Sequence, residues 1–235
     1  MTDRYIGTEL EVFSAAQNWK AYFSRALTPF IRDRVLEVGA GIGTNIPYLR
    51  TSSVREWTSV EPDASLASRI AERAANGHLP PGCRVLTGTI DALDAAARFD
   101  AILYIDVLEH IANDREELTR AAEHLAARGN LVVLGPAHQF LFSPFDSAIG
   151  HFRRYSRSML AALSPAGCQL QSCFMLDSMG LFASLANRVL LNSSMPTERQ
   201  LAFWDKVLVP ISRIAVDRLT GYKIGKSIVA VWQRH

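Results

Sequence analysis

The sequence predicts a doubly wound α/β fold: seven strands in a mostly parallel sheet, helices on both faces, and a helical insertion before the last strand. Three observations carry this. Short apolar runs alternate with stretches of helical period, the pattern of strand–helix–strand units. The first run ends in a glycine-rich turn that opens a helix, VLEVGAGIGTN at 35–45. The length, 235 residues, suits one domain with a full core better than two equal ones. A single domain over 1–235 is therefore expected.

The elements follow in order. Residues 13–31 place Phe13, Trp19, Tyr22, Phe23, Ala26 and Leu27 at helical spacing ahead of Pro29, which predicts a leading helix. Arg34 to Val38 reads as a buried strand and Thr44 to Leu49 as the helix after it. The unit then recurs: strand Trp57–Val60, helix Ser65–Ala75, strand Arg84–Leu86, strand Ala101–Tyr104, helix Arg115–Ala127, strand Leu131–Leu134. The glycine of AARGN at 126–130 is the expected stop before the fifth strand. Residues 135–156 have no clean period, and an irregular stretch of that length in a compact domain is usually functional. Ser156 is placed to cap a short helix to Leu163, and Gln169–Met175 reads as the sixth strand. Residues 177–219 are helical in pattern, interrupted at Asn192-Ser193-Ser194, Pro196 and Pro210, and Ser227–Trp232 closes the chain.

Composition removes several classes. Apolar residues make up 49% and charged residues 20%, which argues against disorder. The net charge of +2 comes without a basic stripe, only Arg153 and Arg154 being adjacent arginines in the irregular loop, so no nucleic-acid partner is expected. Cys83, Cys168 and Cys173 form no C-x-x-C pair, so neither a disulfide framework nor a zinc site is indicated, and no metal is expected. The N-terminus lacks the order of a signal peptide and no uncharged run reaches the roughly 18 residues of a membrane span, so a cytoplasmic location is expected.

A strand that ends in glycines and opens a helix aims backbone N–H groups at a ligand in the crevice. A dinucleotide fingerprint would be G-x-G-x-x-G, but Gly39, Gly41 and Gly43 form G-x-G-x-G, and Thr44 stands where the third glycine should be. Glu37, two residues before Gly39, would repel a phosphate and suit a cation. Glu61, at the end of the second strand, is placed to accept hydrogen bonds from ribose hydroxyls. An adenosine-bearing ligand with a positive charge satisfies both.

EVGAGIG followed by SVEPD resembles motifs I and II of the class I S-adenosylmethionine-dependent methyltransferases. FDAILYIDVLEHI at 99–111 resembles the fourth-strand motif of the ubiquinone-type, small-molecule branch, and GHFRRYS at 150–156 resembles a segment of bacterial methyltransferases of natural-product type. The resemblance implies a Rossmann-like methyltransferase fold with S-adenosylmethionine as cofactor and S-adenosylhomocysteine as product. It implies that Gly39, Ala40, Gly41 and Gly43 approach the methionine part, with Glu37 behind them near its ammonium, that Glu61 takes the ribose and that Pro62 lines the adenine. Thr89, Ile90 and Asp91 would read the adenine, through either the Asp91 carboxylate or a backbone N–H, because Gly88-Thr89-Ile90 departs from the family's G-D-A order. Asp106 would face the methionine end. Outside that pattern, Glu61 and Asp91 would be ordinary surface acids.

The acceptor should meet the segments after strands four and five. A base near neutral pH is most often histidine, and the candidates are His151, then His110 and His138. Arg154 and Tyr155 are placed either to hold an acceptor or to fasten their loop to the sheet. Trp19 and Tyr22 read as core aromatics or as a lid over the ligand. In the insertion, Leu181, Phe182, Leu185, Val189 and Leu190 form one apolar face and Phe203, Trp204, Val207 and Leu208 another. These faces are a lid, a contact with a membrane or with a second copy in a homodimer, or plain mutual packing. The expected reaction is methyl transfer to an oxygen, or a nitrogen, of a small, partly apolar molecule, aromatic or lipid-like. The alternatives are cofactor binding without turnover, and use of the sulfonium as a fixed charge in a non-methylating rearrangement.

Overall fold

The structure is a computed structural model and describes residues 14–190 and 197–235, with the side chains of 187–190 also outside the description. The seven expected strands are β1 (Asp33–Val38), β2 (Val54–Glu61), β3 (Cys83–Thr87), β4 (Phe99–Ile105), β5 (Leu125–Pro136), β6 (Cys168–Leu176) and β7 (Ser227–Arg234). They form one sheet in the order β3-β2-β1-β4-β5-β7-β6. β1 to β5 run parallel, and β7 is antiparallel to both β5 and β6. The order reverses between β1 and β4, so the carboxyl ends of these two strands flank the crevice where such sheets bind ligands.

Side chains alternate between two cores along each central strand. Ala101, Leu103, Val132, Leu134, Val229 and Val231 join one face, and Ile102, Tyr104, Leu131, Val133, Ile228 and Ala230 the other. Burial on both faces is why these strands read as apolar runs with little polar alternation. α1 (Gln17–Leu27) covers the first face with Trp19, Phe23 and Leu27. α3 (Ala64–Ala75), which follows α2 (Ile46–Leu49), adds Ile70 to that face. Its N-terminus is fixed by Asp63, whose carboxylate accepts from the N–H groups of Ser65 and Leu66. The second face is covered by α4 (Asp114–Glu123), which buries Leu118 and Ala121. After α5 (Pro144–Ala148), α6 (Arg157–Ala162) adds Leu160 and is capped by Ser156, as expected.

Two expected boundaries are corrected. α4 stops at Glu123 instead of Ala127, because β5 starts pairing with β4 at Leu125 and then bulges before Asn130. The left-handed residue in that bulge is Arg128 (φ 61°), not the glycine. Gly129 is required there by space, since a Cβ would stand 2.9 Å from the Ala126 carbonyl and 3.0 Å from that of Phe99. Pro210 does not end its helix. A continuous helical rod runs over 198–219, and π-helical turns at Trp204–Leu208 and Ser212–Val216 flank the proline. The wider turn absorbs the missing N–H and the ring's clash with the preceding turn. The expected breaks at 192–194 and 196, and Phe13, lie outside the described residues.

Buried acids join the rod to the leading helix. Asp205 accepts from the backbone N–H groups of Trp19 (2.8 Å) and Asn18 (3.3 Å), supplying the N-terminal cap that α1 does not find in its own sequence. Asp217 accepts from the Tyr22 hydroxyl (2.5 Å) and from the N–H groups of Asp177 and Ser178, at the start of α7 (Ser178–Leu190). Trp19 and Trp204 pack with ring centroids 5.8 Å apart. Trp19 and Tyr22 are thus packed in the core, 7% and 4% exposed. The rod's outer side keeps Phe203, Val207, Ile211 and Ile214 exposed.

Candidate active site

The crevice is built from the turns that end β1, β2, β3 and β4. Gly39, Gly41 and Gly43 all have left-handed backbone (φ 67°, 58° and 70°), which glycine adopts without penalty. Gly39 is needed for space as well: a Cβ there would stand 2.7 Å from Cγ2 of Val107, so the glycine turn and the turn after β4 close on each other. Gly41 N–H donates to Glu61 Oε2 (2.7 Å) and Asp63 N–H to Oε1 (3.0 Å). Glu61 therefore clamps the glycine turn to the end of β2, and burial raises its pKa against these two hydrogen bonds. Pro62, next in the chain, is exposed.

Glu37 is 1% exposed, accepts at Oε1 from the Asn45 side chain (3.1 Å), and has no hydrogen-bond partner for Oε2. Burial raises its pKa to about 7, against the opposing influence of Asn45 and the Trp57 indole. At the end of β3, Ile90 is buried while Asp91 lies on the surface, its carboxylate held by Arg120 at 3.0 and 3.2 Å. The structure thus turns Asp91 toward a neighbouring helix, while Gly88 N–H donates to the Glu61 carbonyl (2.9 Å).

Asp106 follows β4 with left-handed backbone (φ 53°), held by its N–H to the Leu134 carbonyl. Asp106 is solvent-accessible, yet the protein packed around its carboxylate raises its pKa to about 6 while His151, Lys20 and Lys226 oppose the rise. Lys20 is a buried lysine on α1 whose pKa burial lowers, with Asp106, Glu37 and Asp205 as its neighbouring acids.

Beyond Asp106 the structure assembles a polar cluster. His151 Nδ1 lies 2.9 Å from Asp146 Oδ1, and its Nε2 lies 3.8 Å from Glu109 Oε1. The rings of His110 and His151 meet edge to face, centroids 4.5 Å apart. Burial lowers the pKa of His110 to about 4, helped by His151, while a hydrogen bond to the Ile149 carbonyl opposes. Glu109 is fully buried, and neither of its carboxylate oxygens has a hydrogen-bond partner. Burial raises its pKa well above the ordinary value, with Asp106 adding to the effect. Ligand-capable atoms of Glu109, His110 and His151 all lie within 4.8 Å of one another.

Asp146 organises the loop that carries His151. It accepts from Arg154 Nε and Nη2 (2.9 and 3.0 Å), from Ser143 N–H and Oγ (2.9 and 2.8 Å) and from His151. Burial works against its charge, but His151, Arg154 and Ser143 outweigh it and hold its pKa below the usual carboxylate range. Tyr155 is fully buried, with its hydroxyl within hydrogen-bond range of the Leu108 carbonyl (3.2 Å) and Asp114 (3.1 Å). Its backbone bridges to Ala137. Of the two roles open to Arg154 and Tyr155, these contacts are of the fastening kind, Arg154 within the loop and Tyr155 to the segment after β4. His138 stands apart from the other two histidines, its Nε2 donating to the Gly225 carbonyl (2.9 Å).

Four participants were not singled out from sequence. Glu109 lies inside the quoted DVLEH motif, which was the available signal. Asp146, Lys20 and Lys226 had none, since their roles depend on partners far away in the chain or across the sheet.

The comparisons agree with this geometry. The methyltransferase-domain family profile matches residues 11–174. The ubiquinone biosynthesis O-methyltransferase of Bradyrhizobium sp. (strain ORS 278) is 32% identical over 101 residues, which is 43% of this chain and 38% of that protein. Its counterpart in Rhodopseudomonas palustris (strain HaA2) is 29% identical over the same shares. The match spans 38% of the length of these relatives. Among solved structures, coclaurine N-methyltransferase bound to N-methylheliamine and S-adenosylhomocysteine superposes with a TM-score of 0.64 at 14% identity, covering 98% of this chain and 83% of that one. The cyclase SpnF superposes with a TM-score of 0.61 at 13% identity, covering 92% and 80%. The chain belongs to the methyltransferase-domain family and has the fold of S-adenosylmethionine-dependent methyltransferases. Among the described residues no helix is long and apolar enough to cross a membrane.

Proposed function

We propose that this chain, as a single domain, moves the methyl group of S-adenosylmethionine to an oxygen, and less favourably a nitrogen, of a small, partly apolar acceptor. The observation that carries the reading is His151: its Nδ1 is engaged by a buried carboxylate and its Nε2 faces the Glu109 carboxylate, 3.8 Å away in the turn after β4. An imidazole held in one tautomer by a carboxylate is oriented to take a proton from a hydroxyl. The cofactor supplies an electrophilic methyl, so the chain has to align the acceptor, exclude water and receive that proton. Gly39, Ala40, Gly41 and Gly43 would admit the methionine part of the cofactor, with Glu37 and Asp106 near its ammonium. Glu61 would accept from the ribose hydroxyls, Pro62 would line the adenine, and the backbone of Thr89–Ile90 would read its amine in preference to Asp91. Phe140 and Phe152, each more than half exposed on the histidine loop, support an acceptor with an apolar part.

The experiment is calorimetric titration of the protein with S-adenosylhomocysteine. Saturable binding is expected, and Glu61→Ala should weaken it at least about tenfold, since it removes charge-assisted hydrogen bonds worth roughly 1.5–3 kcal/mol each. Absence of saturable binding to the wild-type protein ends the reading. With an acceptor in hand, His151→Ala should lower turnover while leaving S-adenosylhomocysteine affinity near the wild-type value.

A further inference from the structure

We propose that Lys226 sets the specificity of the acceptor site and selects an acceptor that carries an oxyanion, a carboxylate or a phosphate, on its apolar body. Lys226 immediately precedes β7, and because β7 runs antiparallel to β5 and β6, its start lies at the edge of the sheet where those strands end. That is the edge on which the crevice opens. The backbone is pinned there: Lys226 N–H donates to the Asp177 carbonyl (3.0 Å), and its carbonyl accepts from Ala137 N–H (2.8 Å). The side chain runs over the Trp204 indole, with Nζ 5.2 Å from the ring centroid. Such a contact holds the ammonium through the ring's quadrupole and leaves its N–H donors unused.

What this ammonium lacks is a counter-ion. Among the described residues no carboxylate lies within ion-pair distance of Nζ, and no group accepts a hydrogen bond from it. The acids whose charge it feels are engaged elsewhere. Asp177 accepts at Oδ1 from Gly180 N–H (2.9 Å) and the Ser212 hydroxyl (3.1 Å), and at Oδ2 from the Trp204 indole (2.7 Å). Asp146 is held by Arg154, Ser143 and His151. Asp106 is the acid placed near the cofactor ammonium in the function proposed above. Burial lowers the pKa of Lys226, Asp177, Asp106 and Asp146 oppose that, and Arg154 reinforces it as a second cation nearby. A charge in such surroundings is costly until a partner completes it. An oxyanion on the acceptor does so by charge-assisted hydrogen bonds, which also fix one end of the acceptor while its other end meets the methyl. A neutral acceptor leaves the ammonium unpaired, and that difference is the source of discrimination.

The substrate class rests on the methyl-transfer reading, while the anion site itself is measured without turnover. The full chain, saturated with S-adenosylhomocysteine, is titrated by calorimetry with benzoate, phenyl phosphate and benzyl alcohol, which share an apolar ring and differ in the attached group. The expected result is saturable binding of at least one acid, roughly tenfold or more tighter than that of the alcohol. Which acid binds tells carboxylate from phosphate. Lys226→Met keeps an aliphatic stem over Trp204 and should erase the preference, bringing the acid to the level of the alcohol, while Lys226→Arg should keep it. Retained S-adenosylhomocysteine binding shows that each variant has folded. A wild-type chain that binds the acids no more tightly than the alcohol, or binds none of the three, overturns the proposal. So does a Lys226→Met chain that keeps the preference, even if it is less stable, since that is the behaviour of a lysine serving only to balance Asp177. If S-adenosylhomocysteine fails to bind the wild type, the functional reading falls, and the same titrations of the unliganded chain still decide whether Lys226 holds an oxyanion.

Discussion

Asp146→Ala is expected to lower the stability of the chain by about 3–5 kcal/mol, the range found when one partner of a buried ion pair is removed. Arg154 would keep its charge in a setting where its side chain is only 11% exposed, with nothing to satisfy Nε and Nη2. The Ser143 N–H and hydroxyl would lose their acceptor, and with them goes the reciprocal cap of α5. His151 would lose the group that fixes its tautomer, so turnover should fall by about 100-fold or more even at temperatures where the variant is folded. The pH dependence has a definite sign. Asp146 titrates lower in the folded chain than in the unfolded one, so its contribution is complete above the ordinary aspartate value of about 4 and is lost as pH falls below that. Urea unfolding of wild type and variant at pH 7 and pH 5 should therefore show the same difference, narrowing only in stronger acid. A difference that shrinks already between pH 7 and pH 5, or one below about 1 kcal/mol, would remove Asp146 from the centre of this loop.

What sequence reasoning could see here follows from the range of the interactions involved. Strands such as Arg34–Val38 and Ala101–Tyr104 are buried on both faces, so their apolar runs sit in the local sequence and were legible. The glycine turn was legible because the left-handed backbone at Gly39, Gly41 and Gly43 is a property of those residues themselves. The end of α4 was not, since what stops it is the start of pairing between Leu125 and Phe99, a contact with another strand. Pro210 reads locally as a breaker, and only the packing of the rod over 198–219, with Asp205 capping α1 and Asp217 holding the Tyr22 hydroxyl, outweighs its cost. In the site, histidines could be named as bases from residue type alone. Which of them meet, and that Glu109 and Asp146 stand beside them, depends on the loop after β5 folding back so that Phe152 N–H reaches the Glu109 carbonyl. Lys20 shows the same limit: its position on a leading helix reads as solvent-facing, and its burial depends on acids contributed by β1, the turn after β4 and the insertion.

Glu37→Gln is expected to stabilise the unliganded chain and weaken its grip on the cofactor. With a pKa of about 7 in the folded chain against an ordinary value of 4.5, the charged form of Glu37 costs on the order of 3 kcal/mol well above pH 7. The sign follows from proton uptake. The folded chain holds this proton more tightly than the unfolded one, so the cost is full above the folded pKa and is relieved as pH falls from about 7 toward 4.5. The contribution of Glu37 to stability should consequently rise on acidification from pH 8 to pH 5, and Glu37→Gln should lose that part of the slope while being more stable at pH 8. Asp106, Glu109 and Glu61, whose pKa values burial also raises, keep their own slopes of the same sign in the variant, and His110, whose pKa burial lowers, keeps one of opposite sign. The cost is tolerated because an unpartnered carboxylate oxygen behind the glycine turn is where a cofactor ammonium would be balanced, so S-adenosylhomocysteine should bind the variant more weakly and raise its Tm by less. Urea unfolding at the two pH values, with calorimetric titration at pH 8, measures both halves. An unchanged pH slope would remove Glu37 as the source of the strain, and unchanged affinity would show that its charge is not felt by the ligand.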